Sequence, residues 1–172
     1  MSTKFRIINT VAGLVCFAAA ATGCTSTVAG TASPAPTTAS TAGADVFNGL
    51  NACRLLDQLT AGQGFDPGEN KSARNQCVAV KPGWGSFALA LDPEQGLSEF
   101  ATANTGVVNT SINGRNAMQA QTTTGGCALA LEVTEHARVL VIATLSDTAD
   151  GIQACPDART FAEKVEPLLP AG

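Results

Sequence analysis

The chain reads as a small α+β domain: an antiparallel sheet of about five strands packed with two or three helices, cross-linked by two disulfides and preceded by a signal peptide and a disordered linker. Three observations lead there. From residue 76 onward, short apolar runs are joined by turn dipeptides rather than alternating with long helical crossovers; amphipathic helical patterns stand at both ends of that region; and four cysteines are spread through it. At 172 residues, 45% of them hydrophobic and 14% charged, there is material for one packed domain beside its processing segments.

Taken in order, "MSTKFR" carries Lys4 and Arg6, and the uncharged run Ile7 to Ala21 follows at once. A basic start before an apolar core is the pattern of a secretory signal peptide, and this core is shorter than the ~20 residues a spanning helix needs. It ends in Ala21-Thr22-Gly23-Cys24. Small residues leading into a cysteine resemble the lipobox of bacterial lipoproteins, with Ala21 where that pattern favours Leu. The resemblance implies cleavage after residue 23, a diacylglycerol on the Cys24 thiol, and a mature protein held to the extracytoplasmic face of the cell membrane. Two acyl chains anchor stably where one binds only marginally. Cys16 falls in the discarded segment and has no mature role.

Residues 25–44, "TSTVAGTASPAPTTASTAGA", contain no charge, no aromatic ring and only Val28 as a large aliphatic side chain. Such a tract cannot bury enough apolar surface to offset its ordering entropy and reads as disordered. A flexible chain of about 20 residues spans roughly 25 Å. The organisation is therefore a signal peptide over 1–23, a lipidated cysteine and linker over 24–44, and a single domain over 45–172. The net charge is −4, and without Lys4 and Arg6 the mature chain has eight basic against 14 acidic residues, or −6. That balance argues against nucleic acid as a partner and leaves no polybasic patch for anionic lipid, so attachment rests on the acyl chains.

Within the domain, "ADVFNGLNACRLLDQLTAGQG" places Val46, Leu50, Leu56 and Leu59 near helical spacing until Gly62 and Gly64 stop it. "QCVAVK" and "WGSFALALD" alternate as strands around the turn Pro82-Gly83. "PEQGLSEFATANTG" suggests a second, shorter helix before Gly106. "INGRNAMQAQTTT" reads as a strand opened by Asn113-Gly114. "CALALEV" and "RVLVIATL" flank residues 134–137 as the clearest hairpin, apolar at nearly every position and hence expected at the centre of the sheet and covered on both faces. "CPDARTFAEKVEPLLP" is expected to open a last helix at Pro156-Asp157 and to stop near Pro167 to Pro170.

Cys53, Cys77, Cys127 and Cys155 make an even number in an exported domain, which reads as two disulfides. Of the three connectivities, Cys53 with Cys77 and Cys127 with Cys155 is favoured, because each pair ties a predicted helix to a nearby strand through a loop of moderate length. A zinc site lacks a CxxC pair and has only His136 to draw on, so no metal is expected. With these pieces in order, the lipobox and linker, "ACRLLD", "NQCVAV", "INGRNAM", "GGCALALEV" and "ACPDARTFAEKVEPLLP" together resemble the actinobacterial lipoproteins grouped as domain of unknown function 3558. The resemblance covers the chain from about residue 45 to the end. It implies a secreted, membrane-anchored protein with paired cysteines and no established activity.

The residues that could carry catalytic chemistry have structural roles in the sequence pattern. Ser86 lacks the second glycine of a nucleophile elbow. His136 falls at a hairpin tip. The pairs Asp92 and Glu94, and Asp147 and Asp150, flank loops as solvated or capping carboxylates do. No GxGxxG, phosphate-cradling loop or HExxH occurs, so no catalytic residue and no cofactor is assigned. Trp84, the only tryptophan in a chain without tyrosine, is either a half-buried core plug or a ligand contact. Arg115 reads as the structural partner of a carboxylate. The function expected is a non-enzymatic binding or accessory module that recognises another envelope protein, betrayed by an exposed apolar patch. The alternative is a carrier of a lipid or other apolar ligand, betrayed by an enclosed cavity between helices and sheet. Mass analysis of the mature chain is expected to find Cys24 at its N-terminus with the added mass of a diacylglyceryl group; an unmodified Cys24 would refute the anchor.

Overall fold

The computed structural model describes residues 46–147 and 151–171; the signal segment, Cys24, the linker and Asp150 lie outside them. The element order is α1 (Ala52–Thr60), β1 (Gln76–Lys81), β2 (Gly85–Asp92), α2 (Leu97–Ala103), β3 (Val108–Ile112), β4 (Arg115–Gln121), β5 (Cys127–Thr134), β6 (Ala137–Leu145) and α3 (Gly151–Val165), closed by a 3-10 turn over Glu166–Leu168. The strands form one fully antiparallel sheet in the order β1-β2-β6-β5-β4-β3. The expected α+β class therefore holds, with six strands instead of about five, and β5 and β6 are central as their composition requires; cover on both faces extends along β5, whereas Leu140 and Ile142 of β6 are half-buried on the second face.

The additional strand corrects the reading of Asn113-Gly114. Those residues do not open a strand; they are the two-residue turn of the β3–β4 hairpin, between the partners Ile112 and Arg115. Asn113 has φ 51° and Gly114 φ 92°. Positive φ at both central positions is what a right-twisted two-residue hairpin demands, and Asn-Gly meets it at least cost. The last helix also begins earlier than expected, at Gly151, and carries Pro156 inside it. Opening the helix at Pro156 would leave Ala154, which is fully buried, and the bonded Cys155 outside the element that seats them.

One face of the sheet is covered by α1 and α3. Leu89, Leu129, Leu131, Val139 and Val141 point into this layer and are fully buried. The helices answer with Leu55, Leu56, Phe161 and Val165. Along α3, Ala154, Ala158 and Ala162 recur every fourth residue and are all fully buried, so the helix backbone lies close to the strands. The disulfides Cys53–Cys77 and Cys127–Cys155, each with Cα atoms 4.9 Å apart, tie α1 to β1 and α3 to β5. They close loops of 24 and 28 residues, each worth about 3.5 kcal/mol in the chain-entropy account. Beside the first, Asn75 Oδ1 accepts from Ala52 N at 2.8 Å and its amide donates to Leu50 O at 2.9 Å, clamping the start of α1 to the approach of β1.

A direct consequence is a contrast between two aliphatic truncations. Leu129→Ala, on the covered face, is expected to cost about 2–5 kcal/mol. Val78→Ala, on the other face, should stay within about 0.5 kcal/mol of the parent. Urea unfolding with the disulfides intact measures both.

Candidate functional site

The second face of the sheet is dressed differently. Strand alternation brings Val78, Ala88, Ile142, Ala128 and Ala120 into one row across β1, β2, β6, β5 and β4, and Gln76, Ala90, Leu140, Ala130 and Met118 into the next. Among the described helices, only α2 lies on this side. It packs on β4 and β5, where Phe100 sits over Ala120, Ala128 and Ala130. Towards β1 the cover ends: Val78 is 42% and Val80 48% exposed, and Ala88, Ala90, Leu140 and Ile142 are only half-buried. The result is an open apolar half-face. A depression of about 430 Å³ flanks it on the β1 side, lined in part by Val78, Val80 and the segment from Asp66 to Glu69.

At the other end of the same strands lies a pocket of about 460 Å³. Gln76, Ala90 and Leu140 form its floor, Phe47 and Arg74 contribute from the α1 side, and Asp92 to Gln95 form the far wall. Arg138 enters it from β6. This guanidinium is 7% exposed and donates from Nη1 to Gly96 O at 3.1 Å and from Nη2 to Gln95 Oε1 at 2.6 Å. Asp92 Oδ2 is 3.7 Å away, and the group lies 5.7 Å from the centre of the Phe100 ring. Its Nε is buried with no hydrogen-bond partner. Burial pulls the arginine pKa down, with Asp92 and Glu99 pulling it back up, and an arginine keeps its proton regardless.

Arg138 thus holds the start of α2 onto the sheet. The neighbouring contacts are equally close. Gly96 N donates to Glu99 Oε2 at 2.8 Å, and hydrogen bonds from backbone and Ser98 hold the Glu99 carboxyl below the usual carboxylate range. At Gly96 the backbone packs so tightly against Glu135 O that a Cβ would stand 2.0 Å from it, so only glycine fits.

A profile described as protein of unknown function (DUF3558) matches residues 19–168. The chain belongs to the DUF3558 family. No curated protein and no solved structure matches it.

In this DUF3558 domain the sequence-predicted residues are scattered rather than gathered. Arg115 pairs with Glu166 at 3.0 Å and also donates to Glu132 O and Pro170 O, a structural knot at the end of α3. His136 is exposed at the β5–β6 turn, 3.9 Å from Glu135. Asp92 lines the Arg138 pocket and accepts from Glu94 N at 3.1 Å, while Glu94 points to solvent. Ser86 is half-buried in β2, and Asp147 is exposed. Trp84 is half-buried within a ring cluster, so the core and contact readings both describe part of its surface. Arg138 is the site residue that sequence reasoning passed over. Its signal was a lone cation in "ARVLVIATL", an apolar run otherwise.

Removing that cation should act locally. In Arg138→Ala, amide hydrogen exchange across Leu97–Ala103 is expected to speed up about 10- to 100-fold, as two charge-assisted hydrogen bonds are lost, while β5 and β6 keep parent protection.

Proposed function

We propose that this DUF3558 chain is an envelope lipoprotein of actinobacterial type. Its Cys24 carries the lipid, its signal peptide is removed, and its folded part is a non-enzymatic binding module facing outward from the membrane. The partner is another envelope protein, and the surface that receives it is the open half-face of the sheet. The observation behind this reading is the exposure of Val78 and Val80 beside half-buried Leu140 and Ile142, an apolar patch flanked by two depressions. Patches of this kind, bordered by polar groups, are where proteins meet. The carrier alternative has less support. The layer between helices and sheet is filled by Leu55, Leu56, Leu89, Leu129 and Phe161, all buried, and the depressions on the sheet open outward.

The test is a photo-crosslinking residue placed at Val78 in living cells, with Gln58 on the exposed side of α1 as the comparison. A discrete protein adduct at Val78 and none at Gln58 is the expected result. Equal labelling at both positions, no adduct at Val78, or an adduct of lipid mass alone would overturn the reading.

A further inference from the structure

At the far end of β1 and β2, on the side covered by α1 and α3, four aromatic rings converge. Phe87 stacks on Phe161 with centroids 4.4 Å apart, Trp84 lies 4.8 Å from Phe87, and Phe65 lies 5.3 Å from Trp84. Phe87 and Phe161 are buried and form a floor, while Phe65 and Trp84 remain partly open and form walls. They border an open depression of about 190 Å³. That is smaller than the ~300–1,000 Å³ of drug-sized sites and suits a single substituted ring.

The rim is polar and not neutral. Asp157, Thr160 and Lys164 stand three, four and seven residues apart on one face of α3, beside Phe161, and Gln63 and Lys81 close the opposite side. The Lys81 ammonium sits 5.7 Å from the centre of the Phe65 ring. Among the described residues no carboxylate comes within 4 Å of the Lys81 or Lys164 nitrogen, although the chain as a whole is acidic at −4. Two cations without a carboxylate partner, at the edge of a group of aromatic rings, call for an anionic ligand. The acceptors at the same rim, the oxygens of Gln63 and Thr160 and the Asp157 carboxylate, whose Oδ1 also accepts from Gln153 Nε2 at 3.1 Å, call for hydroxyl donors on that ligand. An aromatic acid supplies the charge and not the hydroxyls; a neutral sugar supplies the hydroxyls and not the charge.

We propose that this corner is a binding site for an acidic sugar unit. The apolar face of the ring lies on the Trp84 side, the acid group between Lys81 and Lys164, and the hydroxyls on Asp157, Thr160 and Gln63. The site is separate from the open half-face and independent of the reading given to it.

Because Trp84 is the only tryptophan and the chain has no tyrosine, intrinsic fluorescence reports on this corner alone. The full chain is titrated at low salt with sodium glucuronate, glucose and sodium benzoate, with amide chemical shifts at Gln63 and Thr160 followed in parallel so that a silent fluorophore does not pass for absence of binding. Glucuronate is expected to bind saturably with a dissociation constant on the order of 1 mM, the range reached by a ligand of about 13 heavy atoms at ordinary efficiency. Glucose and benzoate should each bind at least about 10-fold more weakly, and Lys81→Gln and Lys164→Gln should each weaken glucuronate about 3- to 10-fold. Both lysines reach the rim of the site, and thermal unfolding checks that the variants are folded. Binding of benzoate or glucose as tight as glucuronate, indifference to both lysine substitutions, or no saturable change by about 50 mM would overturn the proposal.

Discussion

The sheet can be dry on one face only if α3 lies over β5 and β6 and α1 over β1 and β2, and that requirement organises the domain. Leu129, Leu131, Val139 and Val141 are all fully buried there. No strand neighbour could supply that cover, because neighbours extend the sheet sideways and leave its faces open. The helices come from opposite ends of the folded region, so each has to be held over a surface it meets only through long-range contacts. The two disulfides do this in the same way, joining a helix to a strand across 24 and 28 residues. The alanine row of α3 then lets its backbone settle close, and the larger Phe161 and Val165 fill the space beside it.

The second face is built from small residues and held by a charge. Ala120, Ala128 and Ala130 leave a shallow socket for Phe100, the one large side chain that α2 buries. A helix of seven residues with a single aromatic anchor has little to hold it by propensity or burial. Arg138 provides what is missing by grasping Gln95 and Gly96 from below, at the cost of an unsatisfied Nε. Since α2 ends over β5, the valines of β1 and the alanines of β2 have no cover from the described chain. The same economy that makes the covered face stable leaves this one available to a partner.

Much of this was legible beforehand because local rules and long-range demands agreed. The β5–β6 hairpin, the end helices and the helix-to-strand placement of the cysteines all announce themselves in periodicity and spacing. Strand β3 did not, because "VNTSI" is an edge strand with only Ile112 buried, so no alternation marks it. Its turn, Asn113-Gly114, carried the stronger signal and implied a strand on both sides. The open face was hidden by an ambiguity of phase. "QCVAVK" alternates either way, and valine is the more apolar choice for the core. In the structure Cys77 and Ala79 turn inward and Val78 and Val80 outward, because the bond from Cys77 to Cys53 under α1 fixes the phase of the whole strand. Arg138 was hidden for a related reason. Its partners lie 42 and 43 residues away, and a cation in an apolar strand has no local feature that says which loop it will meet.

The two proposed sites occupy opposite faces of the β1–β2 hairpin. The register sets Gln76 against Ala90 at the Arg138 end, and Lys81 against Gly85 at the aromatic end, beside Trp84. Coupling between them would require the hairpin, or the helix layer behind it, to have a second arrangement that one ligand favours. The contacts argue against such an arrangement. β1 is bonded to α1 through Cys77 and clamped by Asn75, β2 pairs along its length with β6, and Phe87 is stacked on Phe161 of α3. A hairpin fixed on three sides transmits little, so a sugar on one face and a protein on the other would be held together by the same rigid body without altering each other's affinity. That is the behaviour expected of an adaptor, in which the scaffold supplies proximity and each site supplies its own recognition.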